Sequence, residues 1–343
     1  MDRIQKLTAG LSADEAYIIT GKANIFYYSG FTSEDALLYI SKNTLTLLTD
    51  SRYTVQAKEQ AKEQAKEFDI ITDSDFLKKV PEKSIGFEEE YMTCARLSRL
   101  KEIAKDKTFI PAQEKISMPR RIKSDAEISK IAAAEALGCK AFSYITDFIR
   151  PGISEKEIAL ELEFYMRKKG AEGLSFETIV ASGVRGAMPH GTASEKIIKS
   201  GEMVTIDFGC ILDGYCSDMT RTVPVGTPDS RMKEIYDVVQ TAQTAAIAGI
   251  RAGVKCSDAD KIARDIIKDA GYGENFGHSL GHSVGIEIHE APNLSPKSKD
   301  TLESGNVVTV EPGIYVENLG GVRIEDVVAI TDEGVVNLTC REM

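Results

Sequence analysis

Hydrophobic residues in the first third of the chain form short runs that alternate with helical stretches. The runs AYIIT, LLYI and LTLLTD have the length and the β-branched character of buried strands. Such alternation is typical of a small α/β unit built on a mixed sheet. We therefore predict an N-terminal α/β domain over residues 1–118.

A four-residue repeat fills residues 54–68, which read TVQAKEQAKEQAKEF. Nearly all of these residues favour helix, and the repeat aligns Ala57, Ala61 and Ala65 in one row with Lys and Glu rows beside it. We interpret the segment as a helix with a solvated face.

Residues 118–124, MPRRIKS, combine a proline with three cations and lack apolar periodicity. This composition is typical of a linker, which we place at residues 119–124. Ser124 precedes Glu127 by three residues, a spacing that predicts a capping box at the start of a long helix. A second domain is therefore predicted over residues 125–343.

The second domain repeats one order of elements. Its first helix is predicted to end at Pro151 and Gly152, and a second helix to cover residues 154–169. A similar pair is predicted at residues 231–250 and 257–270, and glycine-punctuated strands follow each pair. The repeated order indicates an internal duplication in which two similar halves surround one site.

Two aspartates occur in VTIDFGCILDGYCSDMTRTV, which is predicted to form a hairpin with its turn at residues 212–214. Asp207 and Asp218 then lie on facing strands. Aspartate is depleted in strands, and a carboxylate in an apolar context such as VTIDFG must be paired, protonated or bound to a metal. For either residue alone, exposure at a strand end is the simpler explanation.

Two glutamates repeat this arrangement in VVTVEPGIYVENLGGVRIEDVVAI. Glu311 and Glu325 flank a second predicted hairpin, whose turn is placed at Gly320 and Gly321. The two hairpins together offer four carboxylates, which repel one another at close range unless cations neutralise them. Two divalent ions balance their charge.

Histidine is the most informative residue type, because the chain contains only four: His190, His278, His282 and His289. Three of them fall within GHSLGHSVGIEIHEAP. A lone histidine is usually a hydrogen-bonded structural residue, but this clustering favours a functional site. One imidazole added to four carboxylates gives an oxygen-dominated ligand set that suits a pair of Mn, Co, Fe or Zn ions.

Two such ions would lower the pKa of a water molecule between them, so the ligand set predicts metal-assisted hydrolysis. The remaining histidines would donate hydrogen bonds to the oxyanion or to the leaving nitrogen. Ligand chemistry does not select among the four metals.

The net charge of -11 makes nucleic acid and anionic membrane surfaces poor partners, because both are negatively charged. The opening residues, MDRIQKLTAGLSADE, lack an apolar signal-peptide core, and no apolar run is long enough to cross a bilayer. We therefore expect a cytoplasmic protein. The six cysteines form no C-x-x-C pair, and we expect all six to be reduced thiols.

The second domain resembles the dinuclear metallopeptidases related to methionine aminopeptidase. The resemblance extends from about Asp125 to the end of the chain and rests on HGTASEKIIKSGEMVTIDFG, YCSDMTRT, FGHSLGHSVGIEIHEAP, VEPGIY and GGVRIED. Within that group the chain is most similar to the Xaa-Pro peptidases, aminopeptidase P and prolidase, because NIFYYSGF and LLTDSRYTVQA resemble parts of their N-terminal domain.

The resemblance implies a creatinase-like first domain, a pita-bread catalytic domain, a homodimer or homotetramer, and two divalent metal ions, with Mn favoured. The implied ligands are Asp207 for one metal, Asp218 and Glu325 for both, and His282 and Glu311 for the second. Glu311 is also implied as the proton acceptor. The remaining implied site residues are His190 and His289, which bind substrate and take part in catalysis, and His278 and Arg323, which bind substrate.

Substrate choice depends on one departure from the family pattern. Dipeptide-specific members carry an arginine after HEAP that binds the substrate carboxylate, whereas this chain has Asn293. We therefore expect an Xaa-Pro aminopeptidase acting on short proline-containing peptides, with Xaa-Pro dipeptidase (prolidase) as the alternative. The intact ligand set argues against a non-catalytic binding module and against a creatinase-like, metal-independent hydrolase, and the N-terminal domain argues against methionine aminopeptidase.

Overall fold

The structure, a computed structural model, describes residues 3–33, 35–63, 67–73 and 75–339. The chain divides into two compact units, Met1–Arg120 and Arg121–Met343. Within the described residues, none of the helices combines the length and the apolar character needed to span a bilayer.

The first unit is built on a mixed sheet, as predicted. Its elements are α1 (Arg3–Thr8), β1 (Glu15–Ile19), α2 (Lys22–Ser29), β2 (Ala36–Ser41), β3 (Leu45–Thr49), α3 (Thr54–Glu63), β4 (Asp69–Ile71), β5 (Ser84–Phe87), α4 (Cys94–Ile103), β6 (Thr108–Pro111) and α5 (Gln113–Ser117). The strand order is β4-β3-β2-β1-β5-β6. Strand β1 is antiparallel to β2 and parallel to β5, and the three predicted apolar runs form β1, β2 and β3.

Helix α3 has two different faces. Lys58 and Glu59 are exposed, which confirms the predicted solvated face. Ala57 and Ala61 are buried, so the alanine row packs inward, where a small side chain permits close approach. Ala65, predicted for the same row, lies outside the described residues.

Two cations of the predicted linker are buried. In the first unit, Arg120 donates from Nη1 to Oδ1 of Asn24 at 3.0 Å. In the second unit, Lys123 donates from Nζ to Oγ of Ser283 at 2.7 Å and lies 3.3 Å from Oε2 of Glu290. Both cations are therefore bonded to protein atoms.

The second unit contains the predicted pairs of helices, each followed by strands. Its elements are α6 (Asp125–Phe148), α7 (Glu155–Lys168), β7 (Gly173–Leu174), β8 (Ile179–Ser182), β9 (Glu202–Phe208), β10 (Cys210–Leu212), β11 (Tyr215–Cys216), β12 (Met219–Val225), α8 (Ser230–Gly249), α9 (Cys256–Asp269), β13 (Gly281–Ser283), β14 (Glu290–Leu294), β15 (Val307–Val310), β16 (Gly313–Val316), β17 (Gly320–Arg323), β18 (Asp326–Ile330) and β19 (Val335–Asn337). The predicted capping box is confirmed, since Ser124 and Glu127 exchange hydrogen bonds at the start of α6.

Each helix pair of the second unit packs on its own sheet. Helices α6 and α7 share a core with the sheet β12-β9-β8 through residues such as Phe142, Leu162 and Ile206. Helices α8 and α9 share another core with the sheet β14-β13-β15-β18-β19, through residues such as Val239 and Val308. The helix, helix, sheet order therefore occurs twice, as the sequence pattern predicts.

The first predicted hairpin is present but interrupted. Strand β9 pairs with β12, and β10 pairs with β11 in the same register but in another sheet. Its turn has positive φ at Asp213 and Gly214, the backbone that a two-residue hairpin turn needs. Asp218 lies between β11 and β12, so its predicted place within a strand is wrong by one residue.

The second predicted hairpin is also present and also interrupted. Strand β15 pairs with β18, and β16 pairs with β17 in the same register but in a separate sheet. The predicted turn at Gly320 and Gly321 is wrong, because both residues lie in β17 and the turn covers residues 317–319. Gly321 instead allows two backbone segments to lie close together, since a Cβ there would overlap the carbonyl oxygen of Gly186.

The cysteines differ from the expectation at one position. Cys94, Cys210, Cys216 and Cys256 are free thiols. Cys139 is disulfide-bonded, so the prediction that all six are reduced is wrong there. Sequence spacing misses such a bond because its partners meet through the fold. Cys340 lies outside the described residues.

Candidate functional site

One cavity of about 700 Å³ in the second unit brings together all the residues singled out in the sequence. Five of them are the predicted metal ligands, Asp207, Asp218, His282, Glu311 and Glu325. The others are His190, His278, His289, Arg323 and Asn293. Strands from both halves of the unit, each half being a helix pair with its sheet, therefore line the cavity.

The first hairpin places its two aspartates on one face. Asp207 pairs with Thr220 in the register of β9 and β12, so these two side chains lie on the same side of the sheet. Asp218 precedes Thr220 by two residues, and side chains two apart on extended chain share a face. Both carboxylates consequently point to the cavity.

The second hairpin places its two glutamates opposite each other. Gly313 pairs with Arg323 on one side of the interruption, and Val310 pairs with Asp326 on the other. Both registers put Glu311 directly across from Glu325. Asp218, Glu311 and Glu325 thus lie where the regular ladders are interrupted, whereas Asp207 lies within the ladder of β9 and β12.

Burial raises the pKa of three of these carboxyl groups. It is the largest cause for Asp218 and Glu325, whose pKa values are raised further by neighbouring carboxylates. Burial also raises the pKa of Glu311 to about 8. The ionised forms of such groups are destabilised unless a cation lies among them. In addition, Oδ1 of Asp207 is buried without a hydrogen-bond partner in the described part of the chain.

His282 presents one ring nitrogen to this carboxylate cluster. Its Nε2 lies 3.4 Å from Oε1 of Glu311 and 3.6 Å from Oδ2 of Asp218. Burial lowers its pKa to about 4, so the imidazole is neutral and these contacts are not ion pairs. Its Nδ1 lies 3.2 Å from the carbonyl oxygen of Ser283, which favours the tautomer with the proton on Nδ1 and the Nε2 lone pair directed at the cluster.

These atoms fit divalent cations. One ligand atom each from Asp218, His282 and Glu325 lie within 4.8 Å of one another. Oδ1 of Asp207, which has no hydrogen-bond partner among the described residues, and the mutually repelling carboxylates supply further acceptors. Carboxylate oxygens with a neutral imidazole are ligands typical of Mn, Fe, Co and Zn sites.

Arg323 is held by four protein groups. It donates from Nη2 to Oδ2 of Asp207 at 2.6 Å and from Nη1 to the hydroxyl of Tyr315 at 2.7 Å. A further bond from Nη1 reaches the carbonyl oxygen of Pro189 at 3.2 Å, and Nε donates to Oγ1 of Thr220 at 3.1 Å. The guanidinium therefore organises the cavity wall and is almost completely buried, with 4% of its side chain exposed.

The Tyr315 hydroxyl connects the hydrogen bonds of Arg323 to His278. The Tyr315 hydroxyl lies 2.9 Å from Nε2 of His278, and Nδ1 of the same ring lies 2.8 Å from the carbonyl oxygen of Ser279. Burial lowers the pKa of His278 to about 4, so the ring is neutral. A neutral ring with its proton on Nδ1 donates to Ser279 and accepts from Tyr315, which gives a directed chain from Arg323 to His278.

His190 and His289 are more exposed than the other two histidines. The ring of His289 makes an edge contact with the ring of His282, with 4.4 Å between centroids. Burial, and next the neighbouring His190, lowers the pKa of His289, so its ring is neutral at pH 7. Both histidines line the cavity, and their exposure leaves them accessible to a bound molecule.

Three side chains that support the ligands are absent from the sequence-based prediction. Thr220 donates from Oγ1 to Oε2 of Glu325 at 2.6 Å, and Thr309 donates to Oε1 of Glu311 at 3.1 Å. Tyr315 is the third. Thr220 lies two residues from Asp218, and Thr309 and Tyr315 lie two and four residues from Glu311. The period of two that defines a strand face could have found them.

Comparisons with known proteins identify the family. Residues 129–332 match the model of metallopeptidase family M24, and residues 1–122 match the creatinase/prolidase N-terminal domain. The chain belongs to metallopeptidase family M24. It is therefore a metallopeptidase with the predicted α/β fold class, and members of this family use divalent metal ions.

Relatives in family M24 cover nearly the whole chain. The Xaa-Pro dipeptidase of Pyrococcus horikoshii is 40% identical over 330 residues, which is 96% of this chain and 93% of the relative. The structure of an Xaa-Pro dipeptidase from Bacillus anthracis matches with a TM-score of 0.94 at 43% identity, covering 99% of this chain and 97% of that one. The structure of an X-Pro aminopeptidase from Thermotoga maritima matches with a TM-score of 0.91 at 39% identity, covering 99% of this chain and 98% of that one.

Proposed function

We propose that the protein is a metal-dependent Xaa-Pro aminopeptidase, which hydrolyses the bond between an N-terminal residue and a following proline in short peptides. The observation that carries this proposal is the convergence of four carboxylates and four histidines in one cavity. Relatives named Xaa-Pro dipeptidase and X-Pro aminopeptidase, each at about the same identity, support the Xaa-Pro class.

Two divalent cations are the proposed cofactors. Asp207 would bind one of them, His282 and Glu311 the other, and Asp218 and Glu325 both. When bound, such a pair supplies Lewis-acid catalysis and lowers the pKa of a water molecule. Support comes from the raised pKa values of the carboxyl groups and from the unpartnered Oδ1 of Asp207.

Glu311 is the proposed proton acceptor for the attacking water. Its carboxylate belongs to the cluster, and Thr309 donates to Oε1 and so orients the group. The pKa of about 8 in the metal-free protein lies near neutrality, in the range in which a carboxylate exchanges protons efficiently. Binding of cations would lower that value and favour the anionic acceptor form.

His190 and His289 are proposed to donate hydrogen bonds to the substrate carbonyl oxygen as negative charge develops on it. Both line the cavity and are exposed enough to touch a substrate. A neutral ring, as the lowered pKa of His289 provides at pH 7, keeps one N–H for this purpose. His278 and Arg323 are the proposed further substrate-binding residues.

The peptide bond before proline is a tertiary amide that has no N–H. The polar groups named above act on the carbonyl carbon and oxygen, so none of them requires that N–H. Phe176, Ile179 and Ile288 supply apolar wall to the same cavity, which suits a pyrrolidine ring or an aliphatic side chain.

The charge of the cavity wall supports an aminopeptidase. Among the described residues, Arg323 is the only lysine or arginine that lines the cavity, and four of its five N–H donors bind protein groups. Asn293, which pairs with His282 across β13 and β14, is neutral. A wall with one cation, most of whose donors are engaged, gives little selection for a C-terminal carboxylate directly after proline. The second candidate, an Xaa-Pro dipeptidase, is favoured by the names of the relatives above.

The test is hydrolysis of Ala-Pro and Ala-Pro-Ala by metal-stripped protein that has been refilled with Mn, Co or Zn, with His282→Ala as the control. Cleavage of both peptides before proline, abolished in the variant, is the expected result. Cleavage of Ala-Pro alone would replace the aminopeptidase by a dipeptidase. Metal-independent cleavage, or no cleavage with any metal, would refute the two-metal mechanism.

A further inference from the structure

A buried glutamate behind the cavity connects the two hairpins. Glu135 lies on helix α6 and is fully buried. Its Oε1 accepts a hydrogen bond from the backbone N–H of Asp218 at 2.8 Å, and its Oε2 accepts one from Oγ1 of Thr339 at 3.0 Å. One carboxylate thus holds the segment that carries Asp218 and the last described residue of the chain.

Thr339 extends this connection to the second hairpin. Its Oγ1 accepts a hydrogen bond from the backbone N–H of Val327 at 2.9 Å. Val327 lies in β18, two residues after Glu325. Glu135 therefore joins, through three hydrogen bonds, the backbone of Asp218 to the strand that follows Glu325.

The interruption of the first hairpin explains why Asp218 needs this partner. Regular pairing stops between β11 and β12, and the N–H of Asp218 donates to Glu135 at that point. A buried backbone N–H requires an acceptor, and here a helix side chain supplies it. The position of Asp218 consequently depends on α6 and not only on the sheet.

Electrostatics makes a carboxylate an unfavourable choice at this position. Transfer of a carboxylate from water to a protein interior is costly, and like charges nearby increase the cost. Burial is the largest cause that raises the pKa of Glu135 to about 8, and Asp326 raises it further. Arg221 is itself paired with Asp326 at 2.8 Å. The hydrogen bonds from Asp218 and Thr339 therefore have to offset the cost of burying this carboxyl group.

We propose that Glu135 is a positioning residue that fixes the separation of Asp218 and Glu325, the two carboxylates proposed to contact both metal ions. This inference rests on the proposed metal site. Groups that orient metal ligands typically contribute about 10-fold to 100-fold to metal affinity. Arg221 offers a competing connection, because it donates to the backbone oxygens of Thr220 and Glu325.

The experiment compares the native protein with Glu135→Leu and Glu135→Gln. Each metal-free protein is titrated with Mn²⁺ by calorimetry and melted without metal. Glu135→Leu should bind Mn²⁺ about 10-fold to 100-fold more weakly. Its metal-free melting temperature should fall modestly, because the N–H of Asp218 loses its acceptor while a buried carboxyl group is removed. Glu135→Gln keeps an acceptor for Asp218 and a donor toward Thr339, so its affinity should stay within about threefold of native.

Glu127→Gln is the matched control. Glu127 is another buried glutamate of α6, and its partners include Ser124 and Tyr215. This variant should bind Mn²⁺ as the native protein does. If Glu135→Leu fails to fold, Thr339→Val removes the hydroxyl between Glu135 and Val327 and should weaken Mn²⁺ binding instead.

Three results would overturn the proposal. Native affinity in Glu135→Leu would mean that the direct contacts of Thr220 and Arg221 with Glu325 position the hairpins without it. Equal losses of affinity in the Leu and Gln variants, with a native melting temperature in Glu135→Gln, would assign the effect to charge. Equal losses of affinity with a lower melting temperature in both variants would make Glu135 a packing residue. If the native protein itself binds no Mn²⁺, the proposed metal site fails, and the native titration shows this before any variant is compared.

Discussion

Arg323 donates from Nη2 to Oδ2 of Asp207 across 2.6 Å, and Oδ1 of the same carboxylate has no hydrogen-bond partner among the residues that the structure describes. One oxygen is thus fixed by the protein while the other remains available in the cavity. Because a planar guanidinium also holds Tyr315 and Thr220, this single side chain sets the orientation of three groups of the site.

Replacement of Arg323 by lysine should lower kcat/KM by about 10-fold to 100-fold. An ammonium group is a point charge that cannot hold four partners in fixed directions, so Asp207 and Tyr315 would lose their orientation. Steady-state kinetics on Ala-Pro-Ala with saturating Mn²⁺ measures the effect. Arg251→Lys, at an exposed position, is the control and should be unaffected. Native kinetics in Arg323→Lys would remove the orienting role.

Tyr315→Phe should lower both activity and stability. Its hydroxyl connects Arg323 to His278, so its loss leaves two buried polar groups short of a partner, at a cost of about 1–3 kcal/mol in the free energy of unfolding. Urea unfolding of the metal-free protein and kcat/KM of the loaded protein are the measurements. Tyr272→Phe removes a hydroxyl bonded to Glu234 outside the cavity and should leave kcat/KM unchanged. Equal activity of the two variants would contradict the prediction.

The metal-free protein should become less stable as pH rises. Burial is the main cause of the raised pKa values of Asp218 and Glu325, and it raises that of Glu311 from 4.5 to about 8. A group whose folded-state pKa is raised contributes its full stability below the unfolded value and loses it as pH passes the folded value. The decline for Glu311 should therefore extend from about 4.5 to about 8.

Urea midpoints of metal-free protein between about pH 7 and about pH 9 test this decline. The lowered pKa values of His278 and His282 make stability rise with pH only below this range, where unfolded-state histidines still bind protons. Saturating Mn²⁺ should reduce the slope, because cations replace protons among the carboxylates. A metal-free protein that gains stability over the same range would show that these carboxylates are ionised in the folded state.

Gly321→Ala should destabilise the second unit by about 1–3 kcal/mol, as overpacking does. The added Cβ would meet the backbone of Gly186, which cannot rotate away as a side chain can. Thermal melting and kcat/KM should both fall. Gly334→Ala is the control, because within the described part of the chain no heavy atom lies within 4 Å of a Cβ there. Equal melting temperatures of the two variants would show that the contact relaxes without cost.

Local chemistry made much of the second unit predictable from sequence. The capping box at Ser124 marks the start of α6, and the helices α7, α8 and α9 begin and end within one residue of the prediction. Carboxylates in apolar strands and a cluster of histidines pointed to the residues that line one cavity. These signals lie within a few residues of each other along the chain.

The features that could not be predicted depend on contacts between segments that are distant in sequence. Gly320 and Gly321 have the composition of a turn, but they serve close packing against Gly186, which lies far away in sequence. In the sequence, Glu135 does not differ from a solvent-exposed glutamate of a helix, and only the fold brings it to Asp218. The disulfide bond of Cys139 was missed for the same reason.

The interrupted hairpins have a consequence for how the chain can vary. Asp218, Glu311 and Glu325 lie at the interruptions, and in each hairpin the turn lies beyond a separate short pair of strands. Residues 317–319 can therefore change in number without moving Glu311 relative to Glu325. A single insertion within β16 would instead rotate every later side chain to the opposite face. Length changes should be tolerated at the tips of these hairpins and selected against at their bases.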